Sequence, residues 1–311
     1  MPTARINGID IWYERSGQEA PLSPSGRGAG GEGKPVVMLT HGFAGPASAG
    51  WPPIVDGFKR RYDVITYDVR AHGRTTVPED ESTITVPQFA ADLDALMEHL
   101  GIDRAHVAGI SMGGMISAQF ACDFPHRLRS LLLCDTIAGN GAGADEKAVE
   151  VERLVENAMQ RIAHLAEKYG VEEVVARESK HRHEVDQYAP LAVKTLEEQD
   201  EENYDHKVRH MTRRGFVASA RAMHQRPDLT SRTPNITAPA LVSCGEWDLF
   251  YPGAVRDASL IPNRRFVTIR RSAHDTLAYQ PHLWFQSVTT FIDDVEAGRD
   301  VKADVILDPE K

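Results

Sequence analysis

Between residues 36 and 135 the chain alternates short apolar runs with longer segments of helical period, and this alternation restricts its fold more than any other feature. VVMLT (36 to 40), DVITYD (63 to 68), HVAGI (106 to 110) and SLLLCD (130 to 135) read as strands buried on both faces. Between them WPPIVDGFKRR (51 to 61) reads as a helix. QFAADLDALMEHL (88 to 100) has apolar residues at 89, 93, 96, 97 and 100, a helical stripe that Gly101 ends, and MGGMISAQFACDF is a helix stopped before Pro125. Apolar strands separated by helices imply a parallel sheet covered on both faces. The expected class is therefore α/β, with a mostly parallel central sheet, and such sheets carry their ligands at the C-terminal ends of the strands.

The flanking segments divide the chain. ARINGIDIWYER predicts two short strands around Asn7-Gly8, a favoured hairpin pair. Residues 18 to 34 are rich in Gly, Pro and Ser and bury little, so they are expected to form a mobile insertion in the first core segment, residues 1 to 138. Residues 139 to 232 are charged and helical in pattern, with no convincing strand, and are expected to form an inserted lid. PALVSCG (239 to 245), RRFVTIR (264 to 270) and the helix PHLWFQSVTTFIDDV resume the sheet pattern, giving a second core segment over 233 to 297. The polar tail, 298 to 311, is expected to fray.

Several function classes are disfavoured by composition. The net charge is −10, which argues against a nucleic-acid partner, since phosphate binding needs a basic face. No apolar run reaches the length of a membrane span, and the N-terminal residues lack the apolar stretch of a signal peptide, so a cytoplasmic location without membrane partners is expected. Cys122, Cys134 and Cys244, odd in number and in apolar surroundings, read as buried free thiols.

VAGISMGGM (107 to 115) sets Ser111 in Gly-Ile-Ser-Met-Gly, after a predicted strand and at the start of a predicted helix. The bare pattern is weak, but this context is the one a nucleophile elbow requires. A serine needs a base, and the base needs a third group to fix its tautomer. GEWDLFYP places Asp248, and RSAHD places His274, each just after a later strand, so the three groups follow one another as Ser, Asp, His.

With HGF (41 to 43), YDVRAHGRT (67 to 75), GISMGG (109 to 114), GEWD (245 to 248) and SAHD (272 to 275), the chain resembles the α/β-hydrolase fold family from about residue 5 to 295, most weakly across the lid. The family pattern Arg-Gly-His-Gly-x-Ser is here Arg-Ala-His-Gly-Arg-Thr. The resemblance implies that the backbone N–H groups of Phe43 and Met112 form an oxyanion hole. It also implies a serine esterase or enol-lactonase acting on a small to medium, largely apolar ester or lactone, with no cofactor. Carbon–carbon hydrolysis of a β-diketone-like substrate, perhydrolase chemistry and a ligand-binding receptor role are compatible with the same residues. The oligomeric state is unconstrained.

Asp135 stands at a rival position for the acid, after an earlier strand. Asp275 is too close in sequence to reach the ring of His274. His181 with His183, and His206 with His210, have spacings that suit a metal, but no third ligand lies nearby in sequence, and no metal is expected. His41 and His72 are read as shaping loops beside the site.

Overall fold

The chain first reverses at Asn7 and Gly8, whose φ angles of 45° and 80° join β1 (Thr3–Ile6) to β2 (Ile9–Ser16) with Ile6 opposite Ile9. Asn-Gly adopts this doubly positive turn at little cost. The computed structural model describes residues 2–17, 33–139, 146–184 and 192–310; most of the expected insertion at 18 to 34 lies outside them.

Among the described residues, nine strands form one sheet. To the first two it adds β3 (Val36–Thr40), β4 (Asp63–Tyr67), β5 (Ala105–Ile110), β6 (Leu128–Cys134), β7 (Ala240–Gly245), β8 (Arg264–Ile269) and β9 (Ala303–Leu307), in the spatial order β1-β2-β4-β3-β5-β6-β7-β8-β9. The β1/β2 and β2/β4 pairs are antiparallel and the other pairs are parallel.

Alternation along the strands feeds two cores. Met38, Val107, Leu131 and Leu133 face one side, against α3 (Val86–His99) and α4 (Met112–Asp123). Val37, Leu39, Ala108 and Leu132 face the other, with Trp51 between the short helices α1 (Ala47–Gly50) and α2 (Pro52–Phe58), Phe58 of α2, and Trp284 and Phe291 of the helix Pro281–Glu296. Helices on both faces explain why the central strands are apolar throughout.

The loop after β4 is fixed to α3 by an ion pair 2 % exposed on each side: Arg70 Nε and Nη2 donate to the two Asp92 oxygens at 2.7 and 2.9 Å. Asn7 and Gln88 donate to the same carboxylate at 2.9 and 3.0 Å, so the buried charge is well satisfied.

The expectation of a frayed tail is overturned. Residues 303–307 pair in parallel with β8 along its length, Arg265 opposite Ala303 through Ile269 opposite Leu307. Val301 is buried, and Arg270 and Arg264 pair with Asp308 and Asp304. The stretch ADVIL is short and half exposed, as an edge strand is; Val305 and Ile306 favour a strand, but the run is brief among charged residues and needs β8 as its partner.

Between β6 and β7 the described residues form α5 (Glu146–Tyr169), α6 (Val171–Glu184), α7 (Leu196–Tyr204), a π-helical turn at Asp205–Arg209, and α8 (Arg213–His224). Ala163, Ala166, Val171, Val174 and Phe216 make a small separate core that also takes Ala44, in the loop after β3. That contact seats the helical block over the C-terminal edge of the sheet.

Candidate active site

At the end of β5 the chain turns sharply. Ser111 has φ 53° and ψ −119°, and α4 starts at the next residue. A side chain held in this sparsely populated region costs about 1–3 kcal/mol, so the surroundings must enforce it. They do so through close backbone approach: a Cβ on Gly109 would stand 2.0 Å from the Gly113 oxygen, and one on Gly113 2.1 Å from the Thr40 oxygen. The Ser111 N–H donates to the Cys134 carbonyl at 3.0 Å, and the Thr136 hydroxyl donates to the Ser111 carbonyl at 2.7 Å.

The three groups drawn from separate stretches of the sequence meet here. Ser111 Oγ lies 3.0 Å from His274 Nε2, and His274 Nδ1 lies 3.1 and 3.0 Å from the two oxygens of Asp248. Asp248 is buried, and the Phe250 N–H donates to its Oδ1 at 2.9 Å. In the neutral ring, Nδ1 facing a carboxylate is the donor, which leaves Nε2 as an acceptor toward the serine hydroxyl. Phe250 stacks edge-on against the ring at 4.8 Å. Burial works against the charged imidazole, but Asp248, Asp135 and Asp275 outweigh it and push the pKa of His274 up to about 9.

Asp135 is not the histidine's partner but lies beside it. Its backbone is left-handed at φ 46°, and it is fully buried. Thr276 donates to one carboxylate oxygen through its N–H at 2.7 Å and its hydroxyl at 2.8 Å, and the Gly245 N–H donates to the other at 3.3 Å. One side chain after β6 thereby fastens the end of β7 to the loop that carries His274. Burial and the neighbouring Asp248 push its pKa up to about 7. Sequence alone offered Asp135 only as a rival acid and gave no sign of Thr276.

The HGF loop closes the other side. A Cβ on Gly42 would lie 3.6 Å from that of Ser111, so the backbone entering Phe43 runs beside the serine. Met112 opens α4, where N–H groups lack intrahelical acceptors. His41 holds the loop: Nδ1 is 2.7 Å from the Gly42 oxygen, and Nε2 accepts from the Val69 N–H at 2.9 Å. Burial lowers its pKa to about 4, and that of His72 to about 3.

A cavity of about 850 Å³ opens above Ser111 and His274. The 44 % of the His274 side chain left open faces this cavity. His181 and His206 line it separately, while His183 bonds Asp200 at 2.8 Å and His210 bonds the Asp205 carbonyl at 3.0 Å, so neither pair acts as a unit. Among the described residues, Asp135, Cys244 and Asp248 form a group of potential metal-ligating atoms within 4.8 Å of one another. Those carboxylates already serve His274, Thr276 and Gly245, which suits a proton-linked network better than a cation. Cys244 thus lies in polar surroundings, its Sγ 3.5 Å from Asp248, and Cys122 is only partly buried, contrary to the expectation of three apolar, buried thiols.

Residues 35–280 match the model of the α/β hydrolase fold, and the chain belongs to that family. It is 26 % identical over 263 residues to "Putative carbamate hydrolase RutD" of Caulobacter vibrioides, covering 84 % of this chain and 91 % of that protein. The enol-lactonase of Burkholderia xenovorans LB400 superposes with a TM-score of 0.75 at 22 % identity, over 94 % of this chain and all of that one. A thermophilic esterase from Thermogutta terrifontis gives 0.72 at 23 %, over 95 % and 99 %. Family and relatives together support a general hydrolase activity.

Proposed function

We propose that the chain is a serine hydrolase that cleaves carboxylic esters or lactones through an acyl-enzyme on Ser111. The observation that carries this reading is the hydrogen-bonded series Ser111, His274, Asp248 at the floor of a cavity large enough for a small substrate. In this mechanism His274 takes the hydroxyl proton as Ser111 attacks the carbonyl, and Asp248 holds the ring and stabilises its charged form. The N–H groups of Phe43 and Met112 receive the developing oxyanion, each contributing about 2.7–4 kcal/mol to the transition state. His274 then returns the proton to the leaving group and activates the water that releases the acid.

The helical block acts as a lid over a small-molecule site. No helix among the described residues is long and apolar enough to cross a membrane, and cytoplasmic residence, included in the same proposal, is in keeping with three free cysteines. The test is initial rates on p-nitrophenyl esters of increasing chain length and on lactones, for the wild type and Ser111→Ala. Turnover that disappears in the variant supports the reading. A variant that keeps most of the activity, or a folded wild type that turns over none of these substrates, refutes it.

A further inference from the structure

The cavity has two unlike walls. Met115, Val155, Met159, Ile162, Met223 and Leu249 make one of them apolar. A second part of the lining, from α6, the residues just before α7, α7 itself and the π-helical turn, is polar and presents Glu178, Lys194, Glu202 and Lys207.

Charge on that second wall is unevenly distributed. Each lysine is already matched: Lys207 Nζ lies 2.5 Å from Glu178, and Lys194 Nζ lies 2.6 Å from Glu202. His206, also on this wall, is held toward its neutral form by burial. Asp275 is the acid in excess. It lines the cavity beside His274, on a backbone at φ 70°; burial raises its pKa, the neighbouring His274 charge opposes that rise, and Glu202 and Lys194 act on it from further along the lining. Aspartate is among the residues that adopt this left-handed backbone most readily, and the Leu277 N–H also supports its carboxylate. An entering carboxylate would have to break a lysine pair and approach Asp275, whereas an entering cation would find an acid whose neighbouring base, His274, is already bonded to Asp248.

Resting on the hydrolase reading above, we propose that this cavity selects esters whose far end carries an ammonium group and rejects those ending in a carboxylate. Asp275 is the specificity-determining residue, and the Lys194 and Lys207 pairs keep the rest of the wall neutral.

Three p-nitrophenyl esters with the same five-methylene spacer test this: those of 6-(trimethylammonio)hexanoic acid, of its uncharged isostere 7,7-dimethyloctanoic acid, and of heptanedioic acid as the monoester. The expected order of kcat/KM is cation, neutral, anion, with at least about tenfold between the ends of the series. Asp275→Asn shrinks the cation-to-anion ratio several-fold, and Lys207→Met, which bares Glu178, enlarges it. High salt contracts the ratio. A monoester that reacts fastest, or a ratio that neither variant moves, overturns the proposal. Turnover of the neutral ester and its loss in Ser111→Ala decide the hydrolase reading separately. If no ester reacts, that reading falls, and the matched methyl ketones rank the three ends by thermal shift. Stronger stabilisation by the cationic ketone than by the carboxylate upholds the charge preference, and equal or reversed ranking ends it.

Discussion

Replacing Asp135 by Asn should move the pH dependence of turnover more than it changes the fold. The perturbation removes one negative charge from the group that holds His274 protonated, while the amide oxygen can still accept from Thr276. Asp135 and Asp248 oxygens lie within 4.8 Å of one another, and Asp248 is 3.0 Å from Nδ1 of His274. The charge removed is thus about 8 Å or less from the imidazole, and at an effective dielectric of about 20 it is worth about 2 kcal/mol. That corresponds to roughly 1.5 pH units. Only neutral His274 can accept the serine proton, so kcat/KM of the wild type should rise with pH through a midpoint near 9. In Asp135→Asn the midpoint should fall to about 7.5. The assay is kcat/KM from pH 5 to 10 on one uncharged ester, corrected for spontaneous hydrolysis, with circular dichroism to confirm folding at each end. A folded variant whose rate drops at every pH while its midpoint stays in place would show that Asp135 only ties loops together, and the charge argument would be refuted.

Other outcomes follow from other regions of the structure. Asp92→Ala leaves the Arg70 guanidinium buried without its partner, which costs about 3–5 kcal/mol; for a chain of this size thermal unfolding should drop by about 5–8 °C, and an unchanged melting temperature would contradict the pairing. Gly113→Ala forces a methyl group against the Thr40 carbonyl, so esterase activity should fall at least about a hundredfold if the displaced elbow removes even one oxyanion donor. Removing residues 300 to 311 uncovers the Val301 site, worth about 1.5–3 kcal/mol, and strips a strand from β8, so the shortened chain should melt earlier in calorimetry.

What could be read in advance was whatever is written locally. The parallel strands announced themselves because both of their faces are buried, and Asn7-Gly8 because its turn demands two positive φ values. Ser111, Asp248 and His274 were each legible from a short motif beside a strand end. Residues whose importance comes from distant partners were less legible. β9 has a short local signal in Val305, Ile306 and Leu307, but the run is brief and set among charged residues, and the edge of β8 is what makes it a strand. Asp135 could be noticed as a carboxylate in the right region, but its bonds to Gly245 and Thr276 cross 110 and 141 residues. The unequal lining of the cavity arises from six helical segments, α4 to α8 and the π-helical turn, whose packing no single periodicity encodes.

The position of the helical block also governs how this molecule is assembled. β6 and β7 lie side by side, Leu131 opposite Ala240, yet the whole block is synthesised between them. A nascent chain that has completed α4 and β6 already holds the serine turn, but β6 then presents an open edge until about a hundred further residues have been made. Closing so long an excursion adds little to the final loss of entropy but slows the search for the right pairing. During that interval the bare edge is the place where two unfinished chains would stick to each other. Since Ser111 and His274 are 163 positions apart, a copy cut short before His274 has no assembled site at all, and turnover would report that synthesis has passed that residue.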